Sequence, residues 1–388
     1  MKESALAVHW TLDAHAIFLN HGSFGACPRV VLDKQAELRA RLEAQPVQFM
    51  LRDLEAMCEE ALAALGAFLG ADAEDLAFVP NATTGVNAVL RSLRFDPGDE
   101  ILSTDHTYGA CRNALDWVAE RAGARVVTAP VPFPIGGANE IEAAVLGAVT
   151  PRTRLALLDH VTSPTGLVFP IARLVAALAD RGVDCLIDGA HAPGMVPLDL
   201  RAMGAAYYTG NCHKWLCAPK GAAFLHVRRD RQAGIVPTTI SHGLTLPRSD
   251  RSRFQLLFGW TGTGDPTAAL CVPDAIRTVG ALVPGGWPEV RQRNHALALA
   301  GRDLLCRALG IPAPAPDDLL GSLATVPLPD GSDLGLQEAL WTQEAIEVPL
   351  FPWPAAPRRH LRISAQLYNT IAQFEVLATV LPSFLQRF

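Results

Sequence analysis

Between residues 75 and 228 short apolar runs alternate with helical stretches, a rhythm that few folds can satisfy. Runs at 75–79, 100–104, 125–129, 154–160, 183–187, 205–209 and 222–228 read as strands, and intervening segments such as 109–121 and 171–181 carry helical spacing. Parallel strands need a long crossover, usually a helix laid against the sheet, so the strands become buried on both faces. The expected architecture is α/β, with a mainly parallel seven-stranded sheet covered by helices. The run at 222–228 directly follows the segment that 205–209 delivers, and is expected to return beside it as a hairpin. Near residue 270 the rhythm changes. A helix at 288–309, a proline-rich break at 312–317, a strand, a helix near 334–344, further short strands and a last helix from 369 read as a smaller α+β unit. The expected division is an N-terminal segment 1–30, a large domain 31–270 and a small C-terminal domain 271–388. With 388 residues, 49% of them hydrophobic, the chain can bury a core of that size.

Charge and motifs remove several classes of function. A net charge of -6 gives no electrostatic reason for a nucleic-acid or anionic-membrane partner. No stretch of eighteen apolar residues occurs, and the start MKESALAVHW lacks the apolar core of a signal peptide, so a cytoplasmic location is expected. The eight cysteines (27, 58, 111, 185, 212, 217, 271 and 306) include no C-x-x-C pair and read as buried hydrophobes, with no metal site expected. Gly262-Thr263-Gly264 precedes Asp265-Pro266 and lacks the third glycine of a dinucleotide loop; no phosphate-binding G-x-x-x-x-G-K-[ST] loop occurs.

Two polar residues stand where the sheet should end. Asp188 closes the apolar run 183–187, at the carboxyl end of a strand where open α/β sheets place their ligands. Lys214, in GNCHKW, follows the next strand. A lysine by itself is usually a solvated surface charge. Upstream, Asn81-Ala82-Thr83-Thr84-Gly85 opens a helix after the strand at 76–79, and the free N–H groups there make an anion site; the alternative is that Thr83 or Thr84 merely caps the helix.

The strings DHVTSPTG (159–166), DGAHAPGMVPLDL (188–200), GNCHKWL (210–216), GTGDPT (262–267), the IEVP, LRIS and YNT pieces between 346 and 370, and the opening LNHGSFGACPRVV (19–31) together resemble the class V aminotransferase superfamily of fold-type I pyridoxal 5′-phosphate (PLP) enzymes, within it the isopenicillin N epimerase-like branch. The resemblance covers nearly the whole chain. It implies that Lys214 forms the Schiff base with the PLP aldehyde and that Asp188 holds the ring nitrogen protonated. It places Thr83, with Thr84 beside it, and Asn211 and His213 at the phosphate, Tyr108 against the ring face where many relatives carry histidine, and His191 at the phenolic oxygen. Thr263 belongs to a segment that in relatives reaches the partner's cofactor, which implies a homodimer with composite sites.

Arg362 corresponds to the arginine that grips the substrate α-carboxylate, a task suited to its two-pronged guanidinium. Asn20 and His21 lie in a segment that approaches the substrate in relatives. An amino acid deprotonated at Cα by Lys214 can then be epimerised, lose a β-substituent or be transaminated. Epimerisation is the first expectation. C–S β-elimination of the ergothioneine-pathway type comes next, and transamination after it. A second base is not identified by the sequence; His21 and Tyr108 are the candidates. Residues 348–360 contain no cysteine, against a persulfide-forming desulfurase. A catalytically silent PLP-fold scaffold is the non-enzyme alternative; the joint presence of Lys214, Asp188 and Arg362 argues against it.

Overall fold

The computed structural model describes residues 4–388. Twelve strands follow in chain order: β1 (Ile17–Phe18), β2 (Leu76–Val79), β3 (Glu100–Thr104), β4 (Arg125–Ala129), β5 (Thr153–Asp159), β6 (Asp184–Asp188), β7 (Tyr207–Asn211), β8 (Ala223–Val227), β9 (Leu323–Leu328), β10 (Ile346–Glu347), β11 (Leu350–Pro352) and β12 (Arg359–Ser364). Seven of them form one sheet in the order β2-β8-β7-β6-β5-β3-β4. Only β8 runs against its neighbours, pairing antiparallel with β7 and β2. It returns from β7 as the hairpin partner that its apolar run suggested, with Lys214 in the connection.

The strands of this sheet are apolar because both faces are covered. Leu102, Ala156, Leu158, Cys185 and Ile187 belong to one buried cluster, while Ile101, Leu155, Leu157 and Leu186 belong to another on the opposite face. That alternation is the two-residue period of a strand read out by two helical layers. Helices at Ala82–Ser92 and Gly109–Ala122 pack together on one side, and Ile171–Ala179 lies against β6. From β3 the chain steps outward to β4 and then back across β3 to β5. The strand order therefore reverses there, leaving a crevice at the carboxyl ends of β3 and β5.

The smaller unit is a three-stranded antiparallel sheet, β11-β12-β9, backed by the helices Gly286–Leu309 and Ile371–Leu385. The N-terminal segment is stitched to it, since β1 pairs in parallel with β10. Ser364 N also donates to Leu19 O at 2.8 Å. Among the described residues no single helix is long and apolar enough to cross a membrane.

Strand ends differ from the sequence reading in one useful way. The run 183–187 becomes Asp184–Asp188, and 205–209 becomes Tyr207–Asn211, so the polar residues expected just after the strands lie within their last pairs. The ladder continues where hydrophobicity stops: His160 N donates to Asp188 O at 2.8 Å and Gly189 N to Thr209 O at 2.7 Å. Backbone pairing thus fixes Asp188 rigidly.

Candidate active site

A cleft of about 400 Å³ opens at these carboxyl ends. Its lining comes from Pro80–Thr83 after β2, Tyr108 after β3, Asp159, Val161 and Ser163 at β5, Asp188, Ala190 and His191 at β6, Asn211, His213 and Lys214 at β7, and Ser23 and Phe24 of the N-terminal segment. Its volume lies in the range of small-molecule sites.

Lys214 Nζ is 3.1 Å from His191 Nε2 and has no carboxylate within ion-pairing distance among the described residues. Burial, then the charge of Arg362, lowers its pKa to about 7, against which Asp188 pulls weakly. The amine is therefore about half free at neutral pH. His191 is held as a donor to it. Trp215 Nε1–H, which can only donate, reaches His191 Nδ1 at 3.3 Å, so the ring proton sits on Nε2 and points at the amine. Burial holds His191 well below its usual pKa and so neutral.

Asp188 is 3% exposed and accepts Ala190 N at 3.0 Å and the Cys111 thiol at 3.1 Å. Cys111 was read from the sequence as packing alone; the structure gives it a polar contact as well. Cys212 is fully buried and its thiol is pushed far up by burial, as packing requires.

The β2 side of the cleft is a helix start. Asn81 caps Ala82–Ser92, its Oδ1 accepting Thr84 N at 2.8 Å, and Asn211 Oδ1 accepts Ala82 N at 2.8 Å. A side chain at Gly85 would meet Thr209 at 2.2 Å, so glycine lets the helix press onto β7. Neither threonine is the cap, contrary to the alternative weighed from sequence. Thr83 lines the cleft, but Thr84 does not: its hydroxyl donates to Asn81 at 3.0 Å. His213 Nδ1 donates to Ala222 O at 3.1 Å and its ring also lines the cleft.

Arg362 does not itself line the cleft; it is 1% exposed, sits behind the lining residues Ser163 and Ser23, and forms no ion pair among the described residues. Its Nη1 donates to Ser163 O and, at 3.1 Å, to Ser163 Oγ; Nη2 reaches Ser23 Oγ at 3.5 Å, and the guanidinium lies 4.8 Å from the Phe351 ring. Nε is buried without a partner. A guanidinium this enclosed and lacking a counter-ion is costly unless an anion joins it. Burial lowers its pKa to about 10, which still leaves it charged at neutral pH.

Asn20 and His21 correct the sequence reading, since neither lines the cleft. Asn20 Nδ2 bonds Glu347 at 2.9 Å and its Oδ1 accepts from Ser23 at 2.6 Å. His21 is fully buried: Nε2 donates to Lys214 O at 3.0 Å, so Nδ1 accepts from Tyr368 OH at 2.8 Å. With both nitrogens engaged and its pKa lowered to about 3 by burial, His21 is no candidate for a second base. It braces the lysine segment from behind. Gly25 makes that close approach possible, with φ at 71° and a position where a side chain would meet His213 O at 2.0 Å. Thr263 is exposed and outside this chain's own cleft.

Asp159, Ser163, Ser23 and Phe24 were not singled out from sequence. For Asp159 the signal was present, an acid at the end of an apolar strand, the same feature that drew attention to Asp188. The others are legible only once distant segments meet.

A buried lysine amine of lowered pKa, buried strand-end carboxyls, a helix start that brings Thr83 to the cleft and the Tyr108 ring in its lining fit PLP, and together with the sheet topology they define a fold-type I PLP enzyme. Residues 17–254 match the family described as aminotransferase class-V, and the chain belongs to it. It is 38% identical to an isopenicillin N epimerase of Amycolatopsis lactamdurans, over 96% of each chain. It is 34% identical to a putative L-cysteine desulfhydrase of Oryza sativa subsp. japonica, covering 92% of this chain and 81% of that one. In fold it is similar to a cysteine desulfurase from Escherichia coli, with a TM-score of 0.81 at 20% identity, covering 99% and 98% of the two chains.

Proposed function

We propose that the protein acts at the α-carbon of an amino acid and that the reaction is epimerisation. One observation carries the reading: a buried lysine amine with its pKa lowered to about 7 lines the cleft, and a buried arginine lacking a counter-ion stands behind the cleft residues Ser163 and Ser23. When bound, PLP supplies an electron sink that makes the substrate Cα proton acidic. Arg362 takes the substrate carboxylate, gaining the anion its own surroundings lack. Lys214 Nζ takes or returns the proton, with His191 Nε2–H keeping the amine aimed into the cleft. Asp188 holds the ring nitrogen's proton, and the start of the helix Ala82–Ser92 takes the phosphate with Thr83, Asn211 and His213. Tyr108 offers its ring to the cofactor face.

The full-length likeness to an epimerase supports inversion over other outcomes. Beta-elimination from a sulfur-bearing amino acid is the second reading, supported by the likeness to a desulfhydrase and by a segment 348–360 without a nucleophilic thiol. We assign the working form to a homodimer. Thr263 is exposed and outside its own cleft, and an apolar groove of about 520 Å³, bordered by the exposed Leu51 and Leu246 and by Trp260, suits a second copy of the chain. Eight free cysteines suit a reducing compartment, and we place the protein in the cytoplasm.

The test is incubation of the holoenzyme with single enantiomers of amino acids in D₂O. Solvent deuterium at Cα with inverted configuration is the expected result. Pyruvate release without inversion would move the assignment to the lyase reading, and neither product from any amino acid would overturn both.

A further inference from the structure

The cleft contains a buried acid for which the mechanism above has no use. Asp159 ends β5 and Asp188 ends β6, and the two are Cα partners in the parallel ladder. Their side chains therefore leave the same face of the sheet from adjacent strands. Both line the cleft and each is 3% exposed.

Their hydrogen bonding is unequal. Asp188 has a donor on each oxygen, Ala190 N on Oδ1 and the Cys111 thiol on Oδ2. Asp159 accepts one long bond at Oδ1, from Tyr108 N at 3.4 Å, and its Oδ2 is buried with no partner among the described residues. The nearby Thr107 hydroxyl is engaged with Ser103 at 2.6 Å. An ionised carboxylate only accepts, at about four lone-pair positions, and a buried one left unsatisfied is expensive. Two such anions on neighbouring strands are worse, and one of them retains its proton. The donors decide which: Asp188 has one on each oxygen, and Asp159 has a single long bond and an unpartnered Oδ2.

The remaining groups facing Asp159 do not reverse this. Lys214 favours its ionised form but holds its own proton only to about pH 7, and the Cys111 thiol, pushed up by burial and by Asp188, stays neutral. Burial first, then the Asp188 charge, lifts Asp159 well above the usual carboxylate range, against smaller opposition from Tyr108 N and the Thr107 hydroxyl. Burial raises Asp188 too, but Cys111, Ala190 and Lys214 draw it back.

We propose that Asp159 is a second carboxyl group of the cofactor site, neutral at pH 7 and forming with the ionised Asp188 a pair that carries one proton and one negative charge. The inference rests on the PLP reading of the cleft. One negative charge matches the single positive charge of a protonated ring nitrogen; two would leave a buried anion in excess. Asp159 also brings a hydroxyl donor to a place where the sequence alone suggests only an anion.

Infrared spectroscopy of both apoenzyme and holoenzyme at pH 7 tests this. The expected spectrum contains the carbonyl stretch of a buried carboxylic acid, displaced by ¹³C-labelled aspartate and lost in Asp159→Asn, a substitution that keeps the shape and neutrality of the acid. Bound PLP, measured by absorbance, should be retained in that variant. The labelled wild-type spectrum stands even if the variant fails to fold. Absence of the band from the wild-type protein, or its survival in folded Asp159→Asn, overturns the proposal. Failure of the PLP reading appears separately, as absence of a borohydride-fixed pyridoxyl group on Lys214, and leaves the apoenzyme band to report on Asp159.

Discussion

The floor of the cleft and the wall that Arg362 backs are built in opposite ways. Asp159, Asp188, Asn211 and Lys214 stand at or just beyond the ends of adjacent strands of one sheet, positioned by backbone ladders. Arg362 arrives on β12 of the smaller unit and is held by Ser163, 199 residues away in sequence, and by Ser23, 339 residues away. The floor is local to one sheet; the wall exists only when three distant segments close on one another. Chemistry follows the same division. Asp188 and Lys214 have protein partners that tune their protons, whereas the guanidinium behind the wall has neutral oxygens and no counter-ion among the described residues.

The largest effect expected is at the floor. Lys214→Ala should abolish turnover, and borohydride reduction of the wild-type holoenzyme followed by peptide mapping should place pyridoxyl on Lys214; a label on Lys220 would break the assignment. Because condensation needs the free amine, the rate of covalent PLP uptake by the apoenzyme should rise with pH and level off above about 7, in stopped-flow absorbance. A lysine lowered from 10.5 to about 7 on folding binds fewer protons folded than unfolded between those values. Apoenzyme stability should thus increase with pH across that window relative to Lys214→Met, in denaturant titrations.

Arg362→Met sharpens the contrast. Loss of a buried charge partner for the substrate should cost about 2–5 kcal/mol in kcat/KM. The apoenzyme should be no less stable, because the change removes an uncompensated buried charge. A marked fall in apoenzyme melting temperature with normal kcat/KM would make the wall a structural prop instead.

Asp188→Asn should cost roughly 2.7–4 kcal/mol in turnover while PLP remains bound, if the loss resembles that of one preorganised electrostatic group. Turnover close to wild type in the purified variant would remove Asp188 from the ring-nitrogen role. The smallest effect is expected at the phosphate end. Thr84→Val should leave PLP affinity nearly unchanged, since that hydroxyl serves Asn81, while Thr83→Val weakens it; fluorescence titration with PLP separates the two. Equal losses would show that both threonines reach the phosphate.

Much of the floor was legible in the sequence because strand periodicity and a strand-end acid are local signals. The apolar runs at 100–104 and 125–129 coincide with β3 and β4, and the others differ from the observed strands by only one or two residues at an end. The misreadings have a common cause. Thr84, Asn20 and His21 carry the right functional groups on the right segments, yet hydrogen bonds to Asn81, Glu347, Tyr368 and the Lys214 carbonyl turn them away from the cleft. Side-chain direction depends on such partners, and three of these four lie far along the chain.

The sequence by itself determined the layered α/β sheet, the acid at the end of β6 and the lysine beyond β7, because each follows from residue period and from the polarity of a strand end. Only the tertiary structure decided that Asp159 is paired with Asp188, that His191 donates toward Lys214, and that Arg362 is enclosed without a counter-ion. Those are properties of neighbours: strand register sets the first, the Trp215 indole sets the second, and burial between Ser163, Ser23 and Phe351 sets the third.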